Sequence, residues 1–539
     1  MNNSQSANKK RPPSQIVRVV TNYARLLGAL LIGFLLVRIL LRFGEGAFGL
    51  ITLLGSGTGL GMIIQETVRA GTVPILGKAY HSGSAERFRA VLSSAMAASL
   101  IASIAVVAIY AALYFCVPLF KIPEALWASA QWFTIAMGLM SVFNVALSPL
   151  INFFAVSERM ALYNFSGFLL RLADLLAASI TLFAVSIEEP AMCIIVYGWV
   201  YTVIAALTML ITSALAFKTD RIVSLSFRSI NRSDMASFAH SAGWNSGVTL
   251  ALSLYSKTNT IIYNLFFGIF GNVVFGIANQ LTFYVRQTVS GLVHGMDAVS
   301  ARITNTDSPE AIKRLLNRST HHQSIIVMPA SAGLVLFTHW IVNFWVGDRL
   351  DDPAKSLPVI SMLICILVAG VAARALSDGW IKIMSGDGSV SSYAPWVIAG
   401  GLCNPVLAIL ATWLAPESIK LYCAAYVFSS LTVLVHLVVI PRIISRRYSL
   451  PLSEVYSPFL KPGLATGIAT VLTLLAMKLA SETALVILIS PVAFVICYSI
   501  QCLMYVFTAD ERTRILRLLR LQRFAGSASN VALTKPDNG

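Results

Sequence analysis

The chain has 539 residues, 57% hydrophobic and only 12% charged, with a mean hydropathy of +0.75 and a formal net charge of +16. That balance excludes an ordinary soluble domain, in which about a quarter of residues are charged. The positive charge lies mostly between apolar runs, so it points to membrane orientation and anionic headgroups rather than to nucleic acid.

Apolar stretches long enough to cross about 30 Å of hydrocarbon are predicted from end to end. They fall at 18–41, 46–70, 90–116, 125–149, 160–186, 190–217, 238–267, 272–298, 321–346, 356–381, 392–415, 419–441, 458–479 and 483–507. Glycines 55, 57, 59 and 61 and Glu66 interrupt the second. No A-x-A-like site follows the first run, which is therefore read as a retained span and not a signal peptide. With the N-terminus placed in the cytoplasm, inward segments carry 28 Lys and Arg and outward segments six. So large an inward excess predicts that both termini are cytoplasmic.

Basic inward loops after the sixth span (Lys218 to Asp234) and after the twelfth (Arg442 to Lys461) divide the chain. The expected organisation is a disordered N-terminus (1–15), an N-lobe of six helices (16–217), an inter-lobe loop (218–237) and a C-lobe of six helices (238–445). Two extra helices (446–508) and a basic amphipathic tail on the inner leaflet (509–539) follow. After the second helix of each half a short polar segment is read as a surface helix, with Ser84, Glu86 and Leu92 matched at an offset of 224 by Ser308, Glu310 and Leu316. The fold class expected is all-α and polytopic, with about fourteen spans in two parallel six-helix lobes. Parallel repeats place a central cavity between the early helices of the two lobes and leave the last two helices outside it.

Six basic side chains fall inside apolar runs: Arg25, Arg38, Arg171, Lys257, Arg286 and Arg374. A cation at bilayer depth costs roughly 2.5–3.5 kcal/mol unless it meets water or a partner. Each also has a plainer role. Arg171 with Asp174, and Arg374 with Asp378, are spaced for pairing along one helix. Arg25 and Arg38 lie near helix ends and can snorkel, although Arg25 shares a face with Asn22. Lys257 and Arg286 have no carboxylate within four residues on their own helix. The deep acids Glu66, Asp174, Asp297 and Asp378 are candidate proton or sodium sites, with local pairs Glu66–Arg69 and His294–Asp297 as the alternative. The seven cysteines show no CxxC spacing, and no Walker loop, GxSxG or HExxH occurs, so no metal, cofactor or enzymatic centre is expected.

Three stretches carry a family resemblance. The first joins Asn22-Tyr23-Ala24-Arg25 to Arg42-Phe43-Gly44-Glu45-Gly46-Ala47-Phe48-Gly49. The second runs from Asn259 through Gly268 to Gln280 and Leu281, and the third joins 301–319 to Met328-Pro329-Ala330 and Phe344-Trp345-Val346-Gly347. In these the chain resembles the O-antigen and lipid-linked-oligosaccharide flippases of the multidrug/oligosaccharidyl-lipid/polysaccharide exporter superfamily. Thr72-Val73-Pro74-Ile75-Leu76-Gly77 is similar to the lipid II flippase branch. The resemblance implies cargo consisting of a glycan on a polyprenyl pyrophosphate, with Arg25, Arg38, Arg171, Lys257, Arg286 and Arg374 as phosphate contacts. It also implies membrane lipids as surroundings and a polysaccharide polymerase with chain-length machinery as partners. Many relatives carry an acid where Asn259 stands, and here Lys257 lies two residues earlier, which departs from carboxylate-based ion coupling at this helix. The alternatives are a multidrug extruder of the same superfamily and a membrane-embedded glycan polymerase or ligase. An extruder of cationic drugs favours an acidic cavity, and the enzymes need a large outward loop or a buried catalytic group.

Overall fold

Among residues 15–185, 189–293, 296–306, 309–479 and 484–518, which the computed structural model describes, every regular element is helical. The first lobe contains α1 (Gln15–Leu40), α2 (Glu45–His81), α3 (Ala85–Cys116), α4 (Trp127–Val156), α5 (Met160–Ala184) and α6 (Pro190–Thr219). Then come α7 (Arg232–Val293), α8 (Met296–Thr306), α9 (Pro309–Leu336), α10 (Thr338–Val346), α11 (Pro353–Gly386) and α12 (Val390–Leu414). After the single turn α13 (Glu417–Lys420), α14 (Cys423–Val433) continues through the π-helical stretch Leu434–Val439 into α15 (Ile440–Tyr448). The chain closes with α16 (Leu452–Leu479), α17 (Ala484–Gln501) and α18 (Ala509–Leu518). Residues 1–14 of the expected disordered N-terminus and the part of the basic tail beyond Leu518 lie outside the described residues.

Eleven of these helices are long and apolar enough to cross a membrane, and twelve if α9 and α10, bent by 72° to one another, form one span. The 51-residue stretch Gly243–Val293 is among the eleven. At 1.5 Å per residue a straight helix of that length would reach about 75 Å, more than twice the hydrocarbon thickness. It is instead folded back at Gly268, whose φ of +65° is open to glycine and strained for other residues. Tyr263 stacks on Phe275 at 4.6 Å, and Asn264 Nδ2 donates to Asn272 Oδ1 at 2.9 Å. Both contacts require two antiparallel arms, 244–267 and 269–293. Helix α2 runs for 37 residues and begins with the apolar stretch Glu45–Gly55.

The separate surface helices expected near 77–92 and 301–319 are not what forms. In the first lobe α2 ends at His81 and α3 begins at Ala85, with the Ser84 side chain capping it by accepting from Arg87 N at 3.2 Å. Phe88, Val91 and Leu92 are then buried against Leu76 and Ala79. The apolar residues of the segment thus prolong the spanning helices past the bilayer instead of lying on it. In the second lobe α8 and α9 occupy the equivalent stretch, and Ile312 and Leu316, at the offset of 224 from Phe88 and Leu92, are also buried.

Helices α1–α6 pack mainly on one another, as do α7–α15, with α2 against α7 as the main contact between the groups. A Cβ on Gly276 would stand 2.8 Å from Thr52, so the absence of a side chain there sets how closely α7 approaches α2. Helix α16 rests on α9 and α17 and turns an apolar outer face outward, where Leu464, Val471 and Leu475 are exposed. Many buried hydroxyls are satisfied within their own helices, as where Thr134 donates to Ala130 O and Thr432 to Phe428 O, which spares them a partner in hydrocarbon. The chain is a multi-pass membrane protein. One end of the bundle gathers the turns at 82–84, 157–159, 220–231 and 449–451, and carries most of the loop arginines and lysines. We term it the basic face. The other end gathers Gly44, 117–126, Gly268 and 347–352.

Candidate functional site

A cavity of about 540 Å³ lies between α7 and the helices α1, α2, α4, α5 and α6. Its floor, near the non-basic face, is made by Val37, Leu40, Phe48 and Phe275. Further from that floor the lining turns polar, with Gln65, Asn144, Asn279 and Gln280. Gln280 Nε2 donates to the Tyr284 hydroxyl at 2.7 Å, and Tyr284 stacks on Phe34 at 5.0 Å.

Two of the six cations line this cavity, Arg171 on α5 and Lys257 on the first arm of α7. Among the described residues neither has a carboxylate within ion-pair distance. Asp174, one turn from Arg171, lines the cavity too, but its Oδ1 accepts from the Tyr197 hydroxyl of α6 at 2.6 Å. The helical spacing that offered Asp174 to Arg171 is thus overridden by a partner on a neighbouring helix. Glu66, the fourth charged group of the lining, is paired with Arg69 at 2.7 Å, as its i,i+3 spacing suggests.

The remaining candidates lie elsewhere. Arg286 Nε donates to Asp378 Oδ2 at 3.0 Å, tying the second arm of α7 to α11. Arg374 sits one turn from Asp378, and its Nε has no hydrogen-bond partner among the described residues. The buried His436 nearby accepts from or donates to Ser377 Oγ through Nδ1 at 2.6 Å. This is a charge cluster inside the second lobe. Asp297 meets Lys382 at 3.8 Å near the basic face. Arg25 is on α1 with its side chain outside the described residues, as is His294.

Arg38 has a different role. Its guanidinium donates to Trp345 O at 2.7 Å and to Asp348 Oδ2 at 2.8 Å. The Trp345 indole donates back to Phe34 O at 2.9 Å, and Glu45 Oε1 accepts from Asp351 N at 2.8 Å. Lys121 Nζ donates to Phe266 O at 3.2 Å. These hydrogen bonds join α1–α6 to the chain beyond Gly243 at the non-basic face. The cavity is therefore latched shut at one end. Tyr197, Trp345 and Asp348 escape a sequence search because it looks for charges within one helix, and these partners stand 23 to 310 residues away.

No group of three or more His, Cys, Asp or Glu is arranged to hold a metal among the described residues. The cysteines are free thiols. With two cations, amides and phenols around a water-accessible space, the cavity is suited to an anionic polar group.

No protein-family model and no curated protein sequence matches the chain. Solved structures do. An inward-facing multidrug resistance MATE family transporter of the MOP superfamily superposes with a TM-score of 0.65 at 13% identity, covering 81% of this chain and 98% of that one. The lipid II flippase MurJ, in an inward closed conformation, superposes at 0.66 with 12% identity, over 91% and 98%. A MOP superfamily transporter from Pyrococcus furiosus Vc1 (DSM3638), in which a binding pocket of reverse polarity suggests a different function, superposes at 0.58 with 12% identity, over 80% and 96%. The fold is that of the MOP-superfamily transporters. Within that fold the likeness extends to multidrug exporters and to a lipid flippase alike.

Proposed function

We propose that this protein is a flippase that carries a polyprenyl-pyrophosphate-linked oligosaccharide across a bacterial inner membrane for cell-surface polysaccharide synthesis. The observation that carries this reading is the pair Arg171 and Lys257, which face one central cavity and form no ion pair with a carboxylate among the described residues, Asp174 giving its hydrogen bond to Tyr197. A diphosphate cannot cross hydrocarbon unaided, and charge-assisted hydrogen bonds from arginine and lysine offset the cost of stripping its water. The cavity volume lies within the range of about 300–1,000 Å³ typical of small-molecule sites. That is room for the diphosphate and the first sugars, while the polyprenyl chain stays in lipid. Alternating access then requires the Arg38 latch to open after the headgroup has entered from the basic face, which the loop charges place in the cytoplasm. Asp174 and Glu66, inside the same cavity, are the acids placed to couple a cation to that step. An extruder of cationic compounds is the competing reading, and the unpaired cations argue against it by repulsion.

Binding tests this directly. The purified protein should retain a polyprenyl diphosphate glycan in native mass spectrometry far better than the same glycan on an uncharged polyprenol. Lys257→Ala should weaken retention by about tenfold or more, the scale of a hydrogen bond to a charged group, roughly 1.5–3 kcal/mol. Equal retention of the charged and uncharged lipids would overturn the proposal.

A further inference from the structure

A second cavity, of about 510 Å³, opens at the basic face where α9, α16 and the start of α18 meet, well apart from the central one. Arg318 and His321 of α9 line it on one side, Ser457 and Lys461 of α16 on another, and Thr508 and Asp510 close the third. Arg318 and Lys461 are exposed cations that form no ion pair with any described residue. His321 Nε2 is buried and has no hydrogen-bond partner among the described residues. The acid nearest to them is already spent. Glu511 Oε1 meets His322 Nε2 at 2.8 Å, and its Oε2 accepts from Thr508 N at 3.0 Å and Thr508 Oγ1 at 2.9 Å. Burial would raise the Glu511 carboxyl, but the His322 ring and the Thr508 N–H hold it down at about 2. Glu511 thus fastens α18 to α9 from within the cavity lining and makes no ion pair with Arg318 or Lys461, with Asp510 exposed beside them.

The cavity borders lipid. Lys461 stands between Leu460 and Leu464, 64% and 61% exposed, and the apolar stripe continues down α16 through Ile468, Val471 and Leu475. Two cations and an unsatisfied imidazole nitrogen at the top of an exposed apolar stripe match an amphiphile with a phosphate head and acyl tails. Basic pockets between spanning helices are where anionic lipid headgroups are held. We infer that this cavity is a binding site for the phosphate headgroup of an anionic membrane phospholipid, which clamps the two C-terminal helices to the second lobe.

The test uses the full chain in nanodiscs of mixed anionic and zwitterionic phospholipid, released for native mass spectrometry to count retained lipids. Wild type should retain the anionic lipid preferentially. Arg318→Gln with Lys461→Gln should reduce that preference by about 25-fold, since a basic residue near the surface contributes about a factor of five. Arg442→Gln, an exposed basic-face arginine outside the cavity, should leave it unchanged. Three outcomes overturn the inference: no anionic preference in wild type, an equal loss in Arg442→Gln, or full displacement of the lipid by inorganic phosphate at millimolar concentration. The last would make the site one for free phosphate. Both substituted positions are solvent-exposed and the variants keep the Glu511–His322 contact, so loss of lipid is separable from loss of fold.

Discussion

Removing Asp378 should lower the amount of folded protein, whereas removing Lys257 should leave it near normal. Asp378 answers Arg286 across the α7–α11 contact, with Arg374 one turn away. Asp378→Ala leaves partly buried cations uncompensated, which should cost about 1–3 kcal/mol, the scale of stranding one partner of a charged hydrogen bond. Its expected result is low abundance and a depressed melting temperature in detergent. Arg286→Ala should lower the melting temperature for the same reason, whereas Lys257→Ala, which breaks no pair, should leave abundance near normal. Thermal melts of the three variants check this. At this scale the sequence reveals which residues carry buried charge, because a cation within an apolar run is visible by inspection. It does not reveal the partners. Spacing offers Arg374 to Asp378 and Arg171 to Asp174, yet Arg286 and Tyr197 take those carboxylates from other helices. That choice depends on helix packing, which no local period encodes.

Elements decide which end of the cavity is open. The latch joins α1 and α2 to α10 and the turn after it through Arg38 and Glu45. Arg38→Ala removes two hydrogen bonds, one of them to a carboxylate, and should shift the lobes toward opening at the non-basic face by roughly tenfold in population, the scale set by a charged hydrogen bond. Spin labels at Leu35 and Phe344, 54% and 74% exposed, should report a longer distance in the variant. An unchanged distance distribution would mean that the remaining contacts, such as Asp351 N on Glu45 and Phe34 on Trp345, hold this end without Arg38. Gly276→Val probes the same closure, since a Cβ already meets Thr52. It should mimic Arg38→Ala in the distance measurement. The helical stretches themselves are legible as apolar runs bounded by turns, although the run 321–346 is broken between α9 and α10 by a 72° bend. What the runs do not show is continuity. The polar segments at 77–92 and 301–319 read as surface helices because they are charged, but the buried Phe88, Leu92, Ile312 and Leu316 make them parts of longer, packed helices. The hairpin at Gly268 is legible as the gap between the runs 238–267 and 272–298, and the stacked Tyr263–Phe275 pair closes it.

For the whole molecule, the orientation rests on loop charge. Reporter fusions after Asp234 and Lys461 should both register cytoplasm, and one at Asp351 should register periplasm. A split between the first two would break the placement of the basic face. The two-lobe plan is legible because an even number of passes separates basic loops. The cavity is legible only as an expectation, since four of its polar lining residues, Gln65, Asn144, Asn279 and Gln280, are uncharged and scattered over three helices. The central claim is that the unpaired cations of this cavity carry an anionic headgroup through the membrane. Its most direct measurement is the rate at which labelled polyprenyl diphosphate glycan crosses proteoliposomes containing wild type or Arg171→Ala/Lys257→Ala protein at equal density. Wild type is expected to translocate the lipid, and the double variant to do so at least about a hundredfold more slowly, two charge-assisted contacts having been removed. Translocation at the wild-type rate by the double variant would contradict the claim.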